Sequence, residues 1–167
     1  TAMVGIISLA PVLGNLLTPV VGPIYSALGA DPAMFATTLL ANDMGGAPLA
    51  LKMAQNPEAG KLAAFILGSM MGPTIVFTIP VALGIIEKDD NPYLAKGILA
   101  GITTIPLGVL AGGLVAGFPI GLILVNLIPI IIVSALIILG LIFIPEKMTK
   151  GFAIFGQAVV IIITIGL

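Results

Sequence analysis

Residues 97–145 read GILAGITTIPLGVLAGGLVAGFPIGLILVNLIPIIIVSALIILGLIFIP, and no charged side chain occurs among them. A helix needs about 20 apolar residues to cross a membrane core of about 30 Å. As one helix this stretch would run roughly 73 Å, more than twice that thickness. It must therefore fold back. Gly117-Phe118-Pro119 is the best turn, which gives two antiparallel helices near 94–116 and 120–144. Both are apolar all round, a pattern that suits lipid or complete burial. The short alternating strands and polar turns of a β-barrel are absent.

The rest of the chain repeats the pattern. Charges fall in clusters, and the gaps between clusters are membrane-sized. Further segments are expected near 2–28, 32–52, 62–86 and 151–167. Together they predict an all-α, polytopic transmembrane bundle of about six segments, forming one domain over residues 1–167. Pro11, Pro19 and Pro23 should kink the first segment or end it early, because proline removes a helix donor. The chain starts at Thr1 and stops inside an apolar run at Leu167, so it reads as a piece of a longer transporter.

Composition agrees. Of 167 residues, 59% are hydrophobic and 8% charged. A soluble domain carries about 25% charged residues. Mean hydropathy is +1.29. The net charge of −1 offers no electrostatic footprint for nucleic acid. There is no cysteine and no histidine, which removes disulfides, thiolate nucleophiles and the commonest general base and metal ligand. No cofactor or metal site is expected. No phosphate-binding Gly-x-x-x-x-Gly-Lys-Ser/Thr loop is present. Glycines spaced by four, at Gly68/Gly72, Gly97/Gly101, Gly108/Gly112 and Gly113/Gly117, let helices approach closely, within one bundle or between copies in a homo-oligomer. Lys88, Lys96, Lys147 and Lys150 group on one side of the six-segment scheme and Lys52 and Lys61 on the other, so the first group faces the cytoplasm; a re-entrant segment at 32–51 would move the start of the chain to the other side.

Asp43 is the informative polar residue. Asp31-Pro32 is a good helix start. Twelve residues on, at about 1.5 Å each, Asp43 falls roughly 18 Å along that helix. That is slightly beyond the bilayer midplane. A carboxylate there costs at least about 2.5–3.5 kcal/mol, and such residues usually line a pathway. Gly45-Gly46-Ala47-Pro48 follows and favours a broken helix, whose freed carbonyls and helix ends bind substrates and ions. Thr37, Thr38, Asn42, Asp43, Gly45 and Gly46 therefore form the first candidate site. Ser69 and Thr74, flanking Gly72-Pro73, form the second. Asn15, Asn126 and Gln157 read as interhelical hydrogen-bonding residues rather than ligand contacts.

Four stretches carry a resemblance: Leu40-Ala41-Asn42-Asp43-Met44-Gly45-Gly46, residues 66–77 from Ile66-Leu67-Gly68-Ser69 to Ile75-Val76-Phe77, residues 79–87 from Ile79-Pro80-Val81 to Ile86-Glu87, and Phe143-Ile144-Pro145-Glu146-Lys147-Met148. In these the chain resembles the ethanolamine utilisation permeases of the EutH type, over nearly its whole length. The resemblance implies a multi-pass protein of the bacterial inner membrane that imports ethanolamine for catabolism, and not an enzyme. It carries no site residues, so Asp43 stands on the physical argument. Ethanolamine is mostly a small ammonium ion at neutral pH. A carboxylate at membrane depth would compensate its charge, and Thr38 or Asn42 could bind its alcohol. The competing readings are a transporter of another small amine or polar metabolite, and a membrane sensor or scaffold without transport.

Overall fold

The computed structural model describes residues 2–165, and the side chains of residues 15–157. Every element among the described residues is helical. They are α1 (Ala2–Ala27), α2 (Ala33–Leu39), α3 (Gly46–Met53), α4 (Pro57–Ser69), α5 (Met71–Ile85), α6 (Asn91–Val115), α7 (Ile120–Phe143) and α8 (Pro145–Ile165). Lys88–Val115 and Ile120–Phe143 are each long and apolar enough to cross a membrane. The pair α4 and α5, bent by 40° at Met70, makes a third such span if it is counted as one.

The long uncharged stretch folds as its length demands. At the end of α6 the Phe118 amide donates to the Gly113 carbonyl and the Gly117 amide to Leu114, both at 3.0 Å. This is a Schellman turn. Gly117 has φ +85°, a conformation that costs glycine little. From there α7 returns along α6. Much of its surface stays apolar and unburied; Leu136 is 62% and Ile142 65% exposed. So large an apolar face requires an apolar surround or further protein against it. The same Schellman turn closes α1, Ala30 to Tyr25 and Gly29 to Ser26. That helix runs through Pro11, Pro19 and Pro23 without ending early.

Residues 32–52 are broken, as Gly45-Gly46 and Pro48 imply, but the break comes earlier, after Leu39, and it turns the chain back. They are not one helix. The helix started at Asp31 stops at Leu39, because Leu40 and Ala41 are extended (ψ 136° and 149°). A 3-10 turn, Asn42–Met44, follows, and Gly45 takes φ +90° before α3 begins. The Met44 and Gly46 amides both donate to the Ala41 carbonyl, which closes the turn. The helices α2 and α3 pack on each other. Their outer ends meet at Asp31, whose carboxylate accepts from the amides of Gln55 (2.9 Å) and Asn56 (2.7 Å) as well as Ala33 (2.9 Å). Residues 31–56 are therefore a helical hairpin that returns to its starting point. Asp43 lies at its tip, and not partway along a continuous helix.

Asn56 then starts α4. Its side-chain oxygen accepts from the amides of Glu58 and Ala59, and Pro57 takes the first helical position, where no donor is lost. The Asp31 amide donates to Asn126 Oδ1 at 2.7 Å, and Asn126 Nδ2 donates to the Leu122 carbonyl. The end of α1, both ends of the hairpin and the first turns of α7 thus gather at one end of the bundle. The core lies between the hairpin, α4–α5 and α6–α7, where Met34, Met53, Leu62, Leu67, Ile79, Ile123 and Leu127 are fully buried. In an apolar surround, interhelical packing and hydrogen bonds rather than expulsion of water hold such helices together.

Candidate functional site

The two stretches singled out in the sequence meet in space. The hairpin tip packs against the bend between α4 and α5, and small residues make the approach possible. A Cβ on Gly68 would lie 3.0 Å from Thr37 Cγ2 and 3.1 Å from Asn42 Cβ. A Cβ on Gly72 would collide with the Leu40 carbonyl and come within 2.5 Å of the Ala41 Cα. Gly46 is held just as tightly, since a Cβ there would stand 2.5 Å from the Leu40 carbonyl oxygen. Two interruptions of helix are thereby stacked on each other.

The bend has a local cause. Pro73 lacks the amide that a regular helix would donate to Ser69, and the ladder is irregular on both sides. A π turn (Leu62–Ile66) and a 3-10 turn (Leu67–Ser69) precede it, and a second π turn (Thr74–Thr78) follows. Such insertions concentrate at functional sites. The hydroxyls expected to face a ligand here are partly engaged. Ser69 donates to the Ile66 carbonyl (2.8 Å) and Thr74 to the Met70 carbonyl (2.9 Å). Each keeps its oxygen as an acceptor.

At the tip, the predicted residues divide. Asp43 is exposed, and its carboxylate has no hydrogen bond or ion pair among the described residues. Asn42 is half-buried and its side-chain oxygen accepts from the Asp43 amide at 2.8 Å. Thr37 is fully buried, and its hydroxyl has no hydrogen-bond partner. Such an arrangement costs about 1–3 kcal/mol. Thr38 donates to the Met34 carbonyl (2.7 Å) and shares a hydrogen bond with Tyr25. Tyr25 in turn meets Phe35 edge to face, at a centroid distance of 6.3 Å. Gly45 and Gly46 are buried and act through the backbone turn. The tip thus combines a free carboxylate, an amide and an unpartnered hydroxyl, a set suited to a small cation that also donates hydrogen bonds. No group of three acidic, cysteine or histidine side chains that could hold a metal occurs among the described residues.

Sequence reasoning missed the clasp that makes the hairpin. Asp31 was expected only to cap a helix, which it does through Ala33. Its second oxygen, holding Gln55 and Asn56, was not foreseen. A signal existed in two successive helix starts, Asp31-Pro32 and Asn56-Pro57-Glu58. Two starts so placed mark where one helix ends and another begins, but not whether the segment between them crosses or returns. Asn126 bridges helices as expected, whereas Asn15 and Gln157 are exposed.

An all-α fold, helices of membrane-spanning length and two stacked helix breaks define a helical membrane protein with the interior irregularity typical of transporters. The ethanolamine utilisation protein family EutH matches residues 1–167, and the chain belongs to that family. It is 70% identical over 166 residues to a "probable ethanolamine permease EutH" of Listeria monocytogenes, covering 99% of this chain and 44% of the relative. It is 58% identical over 179 residues to the Escherichia coli protein of the same description, again covering 99% of the chain and 44% of the relative. The figures for the uncharacterised YxeR of Bacillus subtilis are 56% over 166 residues, 99% and 45%. The chain thus spans less than half the length of these relatives. No solved structure matches it.

Proposed function

We propose that this chain forms part of a permease that brings ethanolamine across the bacterial inner membrane for catabolism, by binding and conformational change rather than by covalent chemistry. Relatives bearing the description of ethanolamine permease, 70% and 58% identical over the whole chain, support the substrate. The observation that carries the site is the uncompensated Asp43 carboxylate at the tip of a hairpin stacked on a bent helix. In this reading Asp43 is the ammonium counter-charge. Thr37, Thr38 and Asn42 receive or orient the alcohol, Gly45 and Gly46 shape the tip, and Ser69 and Thr74 line the opposite wall.

The topology follows from the hairpin. The crossing elements are α1, α4–α5, α6, α7 and α8, and residues 31–56 re-enter from the side they came from. That makes six membrane segments and five crossings. The first arm of the hairpin, α2, is only Ala33–Leu39. At the helical rise its tip reaches about 10 Å or somewhat more below the root. That is near the middle of a membrane core of about 30 Å. Asp43 reaches membrane depth by this route. Lys88, Lys96, Lys147 and Lys150 fall on one side and Lys52 and Lys61 on the other, so the first side is cytoplasmic.

The test is uptake of labelled ethanolamine by vesicles carrying the full-length protein, for wild type and Asp43→Asn. Saturable uptake that the variant loses supports permease and site together. Uptake retained by the variant keeps the permease and removes Asp43 from the site. A folded wild type that takes up no ethanolamine, but carries another small amine, would move the substrate.

A further inference from the structure

A second polar site lies at the root of the hairpin, at the opposite end from Asp43. It is a cavity of about 570 Å³. Small-molecule sites usually measure about 300–1,000 Å³. Ser26, Asp31, Gln55, Asn56 and Asn126 supply its polar lining, and no lysine lines it. Asp31 is only 7% exposed and forms no ion pair among the described residues. A carboxylate offers about four acceptor positions. Three are filled by the amides of Ala33, Gln55 and Asn56, two of them on Oδ2, which leaves one on Oδ1. Asn126 has committed one side-chain N–H to Leu122 and its oxygen to the Asp31 amide, so one N–H remains for a ligand. A buried carboxylate with an open acceptor position, beside amide donors and without a cationic side chain, suits a small primary ammonium ion that carries a hydroxyl.

Resting on the permease reading above, we infer that this cavity is a capture site for alkanolamine cations on the face opposite the four-lysine side, from which the substrate passes to the hairpin tip. The geometry of the hairpin supports the sequence of events. Asp31 and Asp43 stand at the root and tip of the same short arm, built on α2. The seven helical residues of that arm alone contribute about 10 Å to the separation of the two carboxylates. The clasp that shapes the cavity also fixes the hairpin's position.

The experiment places a resident ammonium in the cavity. Ser26→Lys and Gln55→Lys both alter exposed side chains. In vesicles carrying the full-length protein, each should raise the half-saturating ethanolamine concentration at least about tenfold, because like charges brought together repel strongly. Their melting temperatures should match wild type. Unchanged half-saturation in both lysine variants, with a transporting wild type, overturns the capture site and leaves the permease standing. If wild type does not transport, the permease reading falls, and calorimetric titration of the full-length protein with ethanolamine decides the cavity. Binding weakened about tenfold by Ser26→Lys upholds it. Absence of binding, or binding that Ser26→Lys leaves unchanged, overturns it.

Discussion

Asp43 is charged and exposed, and nothing among the described residues holds its carboxylate, so its removal should leave the fold intact. Asp43→Asn is expected to lower ethanolamine uptake by about tenfold or more with an unchanged melting temperature, since a desolvated ammonium would lose its counter-charge. Equal losses of stability and uptake would show a packing role instead. Thr37 makes the opposite trade. Its hydroxyl is buried without a partner, so Thr37→Val should hold or raise stability, by up to about 1 kcal/mol. If that hydroxyl serves the substrate, the same variant should need more ethanolamine for half-maximal uptake. A variant with stability and uptake both unchanged would remove Thr37 from the site. Gly72 is a different case, because its neighbours at the close approach are backbone. Gly72→Ala should destabilise the protein by about 3 kcal/mol, the upper end for overpacking, read as a lower melting temperature or loss of folded protein.

The hairpin is the element that decides the site, and one side chain makes it a hairpin. Asp31 accepts three amides from two chain segments and its own amide is fixed by Asn126. Asp31→Ala would leave those amides without an acceptor, at about 1–3 kcal/mol for each that stays buried. The expected result is a loss of about 3 kcal/mol or more, with faster amide hydrogen exchange concentrated at Gln55 and Asn56. Uniform exchange along the chain would count against the clasp. The sequence identified the broken segment correctly from Gly45-Gly46 and Pro48, but it could not tell a broken span from a returning hairpin. Both are apolar, both contain a break, and both begin with Asp31-Pro32. The difference lies in a contact between residues 31 and 56, and no local pattern states it.

For the whole molecule, the proposed re-entrant topology changes the count of crossings while preserving the grouping of the lysines. The chain contains no cysteine, so single cysteines can report sidedness directly. With a re-entrant hairpin, cysteines at Ser26, Gln55 and Phe118 should all react with an impermeant reagent from one face, and cysteines at Asp89 and Lys147 from the other. Six full crossings would put positions 26 and 118 on opposite faces, and that labelling pattern would overturn the proposed topology. The apolar, unburied faces of α6 and α7 belong to the same scale. Gly97 and Gly101 have no atom within 4 Å of where a Cβ would be, whereas Gly68, Gly72, Gly108 and Gly112 are spent on packing inside the bundle.

Some of this protein was determined by its sequence alone. The uncharged run from Gly97 to Pro145 can only be helix folded back on helix in an apolar surround, because neither water nor an unpaired backbone tolerates anything else there. The breaks at 40–46 and 67–74 were equally legible, since glycine and proline act on the backbone where they stand. What only the tertiary structure decided is the meeting of distant parts: the clasp of Asp31 on Gln55 and Asn56, the stacking of one break on the other, and the cavity at the hairpin root. These depend on which oxygen faces which amide between positions far apart in the chain, Asp31 with Asn56 and Asp31 with Asn126. Such pairings are set by packing in three dimensions rather than by any local preference.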